Sequence, residues 1–78
     1  MKKPQIHETV FVAPNATVVG DVRIGAHSSI FFGAVLRTES DEILIGEASN
    51  IQDNCVLHVE HGLPLHVGNG CTVGHNAI

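Results

Sequence analysis

Residues 24–37 read IGAHSSIFFGAVLR, and within them Ile24, Ile30 and Leu36 stand six positions apart. No single regular element explains that spacing. A helix needs apolar residues three and four apart, and a lone strand needs simple alternation. Toward the N-terminus the same step continues through Val18, Val12 and Ile6 without a miss. Toward the C-terminus it slips by three residues and resumes at Ile45, Ile51 and Leu57. It then slips by four and resumes at Val67 and Val73. Four places after these aliphatics come small or β-branched residues: Val10, Ala16, Val22, Ser28, Ala34, Ser49, Cys55, Cys71 and Ala77. Hexads of this kind predict short strands joined by tight corners, with Gly and Asn supplying the left-handed backbone that corners need. One hexad cannot bury its aliphatic residue alone, so the hexads must coil and stack into an all-β parallel solenoid. A sandwich of alternating strands would place its turns without a constant period.

Composition narrows the function classes. Seventy-eight residues make one small domain, residues 1–78, expected to be the N-terminal part of a longer one. Only four residues are Lys or Arg and the formal net charge is −4, which argues against a nucleic-acid or anionic-membrane partner. No apolar run approaches a membrane span, and MKKPQIHE lacks an apolar signal segment, so the expected location is cytoplasmic. Cys55 and Cys71 form no CxxC; both fall in the inward small-residue slot and are expected to be buried thiols. Six histidines beside no Trp or Tyr direct the search for chemistry to the histidines.

The hexad pattern resembles the hexapeptide-repeat proteins. That resemblance implies a left-handed parallel β-helix with three hexads per turn, about four turns here. Hexads starting at Ile6, Ile24, Ile45 and Val67 then share a first face. Val12, Ile30, Ile51 and Val73 share a second, and Val18, Leu36 and Leu57 a third. Both slips leave the same corner on successive turns, as loops flanking a site would. Arg37 and His58 each follow a third-face aliphatic and should stack about 4.8 Å apart, the spacing of neighbouring strands. Asp53 and His75 each stand two places after a second-face aliphatic, so Asp53 should lie beneath His75, with Gln52 beside it.

The motifs APNATVVGDVRIG, AVLR, NIQDNCVLH and VGHNAI, in this order and spacing, resemble the γ-class carbonic anhydrase-like family. In that family three histidines hold zinc (Zn2+) or iron (Fe2+) between subunits of a homotrimer, leaving a position for water. The activated water hydrates carbon dioxide to bicarbonate. Carried over, His58 and His75 are metal ligands, His75 being offered to the neighbouring subunit. The third ligand falls at position 80, beyond Ile78, so the chain reads as truncated before it. Gln52 matches the residue that orients water or substrate, and Arg37 and Asp53 match an intersubunit ion pair, with Arg37 also near bicarbonate. Where the family reads Arg-Gly-Asp, this chain has Arg37-Thr38-Glu39. The long acidic loop of the most active members is missing, with Glu60 the remaining candidate for a proton shuttle.

Other readings stay open on the sequence. Hexapeptide coils also form acyltransferases that use a histidine as general base on acyl-CoA. Metal-dependent thioester hydrolysis is a further alternative, and an inactive fragment or assembly module another. His61 and His66 flank the second insertion and His7 and His27 are expected on the outside of the coil. Asn15, Asn50, Asn54 and Asn69 are read as corner residues, and Gly20, Gly25, Gly46, Gly68 and Gly74 as tight-turn glycines.

Overall fold

The aliphatic spacing of six appears in the computed structural model as a stack of short parallel strands; the structure describes residues 3–39, 41–59 and 64–74. Eleven strands are seen among them. They are β1 (Gln5–Ile6), β2 (Phe11–Val12), β3 (Thr17–Val19), β4 (Val22–Ile24), β5 (Ser29–Ile30) and β6 (Val35–Thr38). Then come β7 (Ile43–Ile45), β8 (Asn50–Ile51), β9 (Val56–Val59), β10 (Leu65–Val67) and β11 (Thr72–Val73). Every third strand shares a sheet, in the orders β1-β4-β7-β10, β2-β5-β8-β11 and β3-β6-β9. At three strands to a turn, eleven strands make three turns and two strands of a fourth. This is the parallel β-helix that the hexads predict.

The pairings reproduce the aliphatic columns residue for residue. Ile6 pairs with Ile24, Ile24 with Ile45 and Ile45 with Val67 on the first sheet. On the second, Val12 pairs with Ile30, Ile30 with Ile51 and Ile51 with Val73. On the third, Val18 pairs with Leu36 and Leu36 with Leu57. All strands in each sheet are parallel, so each column is a line of like side chains pointing to the axis. Ile30, Leu36, Ile43 and Ile51 are fully buried, and Val22, Ala34 and Cys55 fill the slots between them.

One inward column is polar and fully used. Ser28 Oγ donates to the Gly46 carbonyl (2.6 Å) and accepts from the Ser49 amide (3.1 Å). Ser49 Oγ repeats this one rung up, donating to the Gly68 carbonyl (2.5 Å) and accepting from the Cys71 amide (3.1 Å). Each hydroxyl satisfies a backbone group at a corner that the strand ladders leave unmatched, which is why serine is tolerated in the interior. Cys71 ends the column and is exposed, against the expectation of a buried thiol. Among the described residues no rung stacks over it. Cys55, whose thiol donates to the Gly74 carbonyl (2.6 Å), is buried as expected.

The corners also differ from expectation. The left-handed backbone recurs three places after the leading aliphatic, at His27 (φ 62°), Gly33 (φ 74°), Ala48 (φ 53°), Asn54 (φ 58°) and Gly70 (φ 65°). Gly25 and Gly46 have ordinary φ; their role is close approach. A Cβ on Gly25 would stand 2.9 Å from the Gly46 carbonyl carbon, and one on Gly46 2.8 Å from that of Gly68. Gly20 does adopt positive φ, at 94°.

Candidate functional site

The third sheet sets out the candidate site. In β6, Leu36 and Thr38 turn inward and are buried, so Val35 and Arg37 turn outward by the two-residue period of a strand. β9 repeats the pattern with Leu57 and Val59 inward and Val56 and His58 outward. Arg37 pairs in register with His58, and Thr38 with Val59. The outward column therefore carries a guanidinium directly below an imidazole, as the hexad count requires.

The first insertion is fastened where it leaves β6. Thr38 is 1% exposed and its hydroxyl donates to the Asp41 carbonyl. Below it, a side chain on Gly20 would run into the Thr38 carbonyl oxygen, so glycine is needed there for space as well as for its φ. The chain turns over this support and carries Glu39 back to Arg37, whose Nη2 lies 3.1 Å from Glu39 Oε1. Both side chains are more than half exposed, at 56% and 63%. The Glu39 partnership was legible, because residues two apart in an extended segment face the same side.

The second sheet supplies the other two described candidates. After β8 the chain passes through Gln52 and Asp53, both half-buried, into the left-handed corner at Asn54. The Gln52 amide donates to the Val73 carbonyl (3.0 Å), which ties this segment to the rung above. Arg37 and His58 thus share one sheet, and Gln52 and Asp53 leave the next. Within one chain, the ion pair that Arg37 makes is with Glu39. His75, Glu60 and His61 lie outside the described residues.

His58 fits a metal by chemistry and exposure, an outward imidazole on a rigid strand. Among the described residues, however, no group of three His, Cys, Asp or Glu gathers to hold a metal ion. A metal bound here would need donors beyond that set. Away from the column, His66 Nε2 meets Glu42 Oε2 at 3.0 Å across the two insertions. A shallow depression lined by Gln5, His7, Arg23 and Leu44 lies on the first sheet, on another side of the coil. Among the described residues no helix is long and apolar enough to cross a membrane.

Comparison with known proteins bears on the same stretch. No protein-family model matches the chain. It is 46% identical over 83 residues to Gamma carbonic anhydrase 2, mitochondrial, of Arabidopsis thaliana, covering 99% of this chain and 30% of that protein. It is 45% identical over 73 residues to a Probable carbonic anhydrase of Methanocaldococcus jannaschii, covering 94% of this chain and 46% of that one. A Bacillus subtilis protein named as an uncharacterized transferase is 45% identical over 73 residues, covering 94% and 43%. The chain spans between 30% and 46% of the length of these relatives. Over nearly its whole length, then, the chain is 41–46% identical to proteins named as carbonic anhydrases, and it shares with the hexapeptide-repeat pattern a parallel β-solenoid.

Proposed function

We propose that the chain contributes His58 and His75 to a metal site shared between copies in a homotrimer, and that the site hydrates carbon dioxide to bicarbonate. The observation that carries this reading is the outward pairing of Arg37 with His58 on adjacent rungs. Zinc or ferrous iron, when bound by neutral imidazoles, supplies Lewis acidity at near-neutral pH. The chain's own residues do the rest. Arg37 offers a fixed positive charge for bicarbonate, the anionic product. Gln52 has a carboxamide that both donates and accepts, suited to orienting a water beside a small neutral substrate. By the hexad count Asp53 follows Ile51 as His75 follows Val73, so in this reading its carboxylate would orient the ligand imidazole.

The test is metal content per chain by elemental analysis, with the oligomeric mass read on the same sample. About one zinc or iron per chain in a trimer, as a three-histidine catalytic site requires, supports the reading. Carbon dioxide hydration is then assayed. No metal, or a monomer, overturns it and leaves an inactive fragment.

A second reading draws on the match to the transferase-named relative. In that reading a histidine of this chain would act as general base on an acceptor, with acyl-CoA along the coil. Turnover of acyl-CoA without metal favours that reading; thioester hydrolysis that needs metal places the chemistry back at His58.

A further inference from the structure

Residues 68–71 read GNGC, and Asn69 is the one asparagine of the chain that a glycine follows. Asn15, Asn50, Asn54 and Asn76 precede Ala, Ile, Cys and Ala. Asparagine is chemically labile because its side-chain Cγ is open to attack by the next residue's backbone nitrogen. Glycine, with no Cβ and a wide choice of backbone angles, hinders that attack least. Asn69 and Gly70 are both exposed, at the corner between β10 and β11, so water reaches them.

The corner nevertheless holds both reacting groups. The Asn69 carboxamide lies over Gly46, its Oδ1 standing where a Cβ of residue 46 would be. That oxygen accepts from the Glu47 amide at 2.8 Å. The Gly70 amide donates to the Glu47 carbonyl at 2.9 Å. One residue of the rung below thus binds the electrophile through its N–H and the nucleophile through its C=O. From the interior, Ser49 Oγ pins the Gly68 carbonyl and the Cys71 amide on either side.

We infer that Asn69–Gly70 is a self-modification site, clamped in the closed coil and freed when the rung of β10 and β11 opens locally. In the opened corner the Gly70 nitrogen bonds to Asn69 Cγ, and its proton leaves with Nδ2 as ammonia. A cyclic imide remains. Water then adds to one of the two imide carbonyl carbons, the hydroxyl going to carbon and the proton to the Gly70 nitrogen. Opening at Cγ gives aspartate in an ordinary backbone. Opening at the backbone carbonyl carbon of residue 69 gives isoaspartate, whose chain runs on through Cβ and Cγ. The two products differ in consequence. An aspartate still offers an oxygen to the Glu47 amide, now in a charge-assisted bond. Isoaspartate inserts an extra backbone carbon just before β11, so Thr72 and Val73 lose their register on Asn50 and Ile51 while Gly70 stays on Glu47. Modification therefore releases the rung in one direction.

The test is peptide mapping by mass spectrometry on the chain aged at mildly alkaline pH, folded and in urea, with aspartate and isoaspartate separated by chromatography. Acid should accumulate at Asn69 ahead of every other asparagine. In the folded chain it should form about 10-fold or more slowly than in urea, the effect of holding two hydrogen bonds closed. Ser49→Ala should narrow that gap in the folded chain and leave the rate in urea unchanged. Gly70→Ala should slow the reaction in urea. Asn69→Asp should melt with the wild type, and the isoaspartate form isolated from aged wild type should melt lower. Equal rates in the folded and urea-treated wild type overturn the clamp. Acid that appears first at another asparagine in urea overturns the site, and an isoaspartate form that melts with the wild type overturns the release.

Discussion

Arg37 and His58 are register partners on β6 and β9, both turned outward, while their neighbours Leu36, Thr38, Leu57 and Val59 are buried. The core thus fixes the orientation of the two polar side chains without touching them. His58→Ala should leave the fold intact, with stability changed by no more than about 0.5 kcal/mol, as for exposed positions. Metal content should fall to background in the same sample. A variant that keeps its metal would remove His58 from the ligand set.

Thr38 is a second point of control. Its buried hydroxyl satisfies the Asp41 carbonyl, so Thr38→Val should cost about 1–3 kcal/mol through the group left unpaired. Thr38→Ser should restore most of it. Urea unfolding midpoints on both variants, at equal slope, decide the matter. Loss in the Ser variant with none in the Val variant would assign the role to the threonine methyl group instead.

The glycine column makes a sharper prediction. Gly46→Ala would place a Cβ 2.8 Å from the Gly68 carbonyl carbon and the Asn69 amide, where both neighbours are backbone and neither yields easily. Overpacking of this kind costs about 1–3 kcal/mol. Gly70→Ala has open space around it but a positive φ, so its penalty is confined to backbone strain of about 1 kcal/mol. Thermal melts of the pair should therefore rank Gly46→Ala as the less stable.

Ser49 tests the interior polar column. Ser49→Ala removes both the donor to Gly68 and the acceptor for Cys71, and should destabilise by about 1–3 kcal/mol despite adding no bulk. Hydrogen exchange at the Cys71 amide should quicken most. An unchanged exchange rate there would show that water replaces the hydroxyl.

The constant spacing of the aliphatics, taken with the three hexads per turn that the resemblance implies, made the aliphatic register pairs from Ile6 to Val73 legible. The Arg37 and His58 pairing came with it. What stayed hidden depends on the third dimension at finer scale. Gly25 and Gly46 look like turn glycines in a line of text, yet the crowding that demands them comes from a rung 21 or 22 residues away, since Ile24 pairs with Ile45 and Ile45 with Val67. Cys71 has the same sequence context as Cys55, and only the number of rungs above each separates exposed from buried. The phenylalanine cluster joins Phe11 to Phe31 and Phe32 across a rung, so no local pattern announces it.

The repeated register has a kinetic consequence. Ile6 to Ile24 closes a loop of 18 residues, and the later closures of 21 and 22 differ from it little. Loop closure costs grow only slowly with length, so each new turn is added at nearly the same entropic cost as the last. Assembly then resembles a zipper that starts wherever two adjacent turns first hold and runs outward in both directions. The middle rungs, with Ile30, Leu36 and Ile51 fully enclosed, are where it starts most readily. Arg37 and His58 belong to those same rungs, so their pairing is set early and the outer rungs are the first to open.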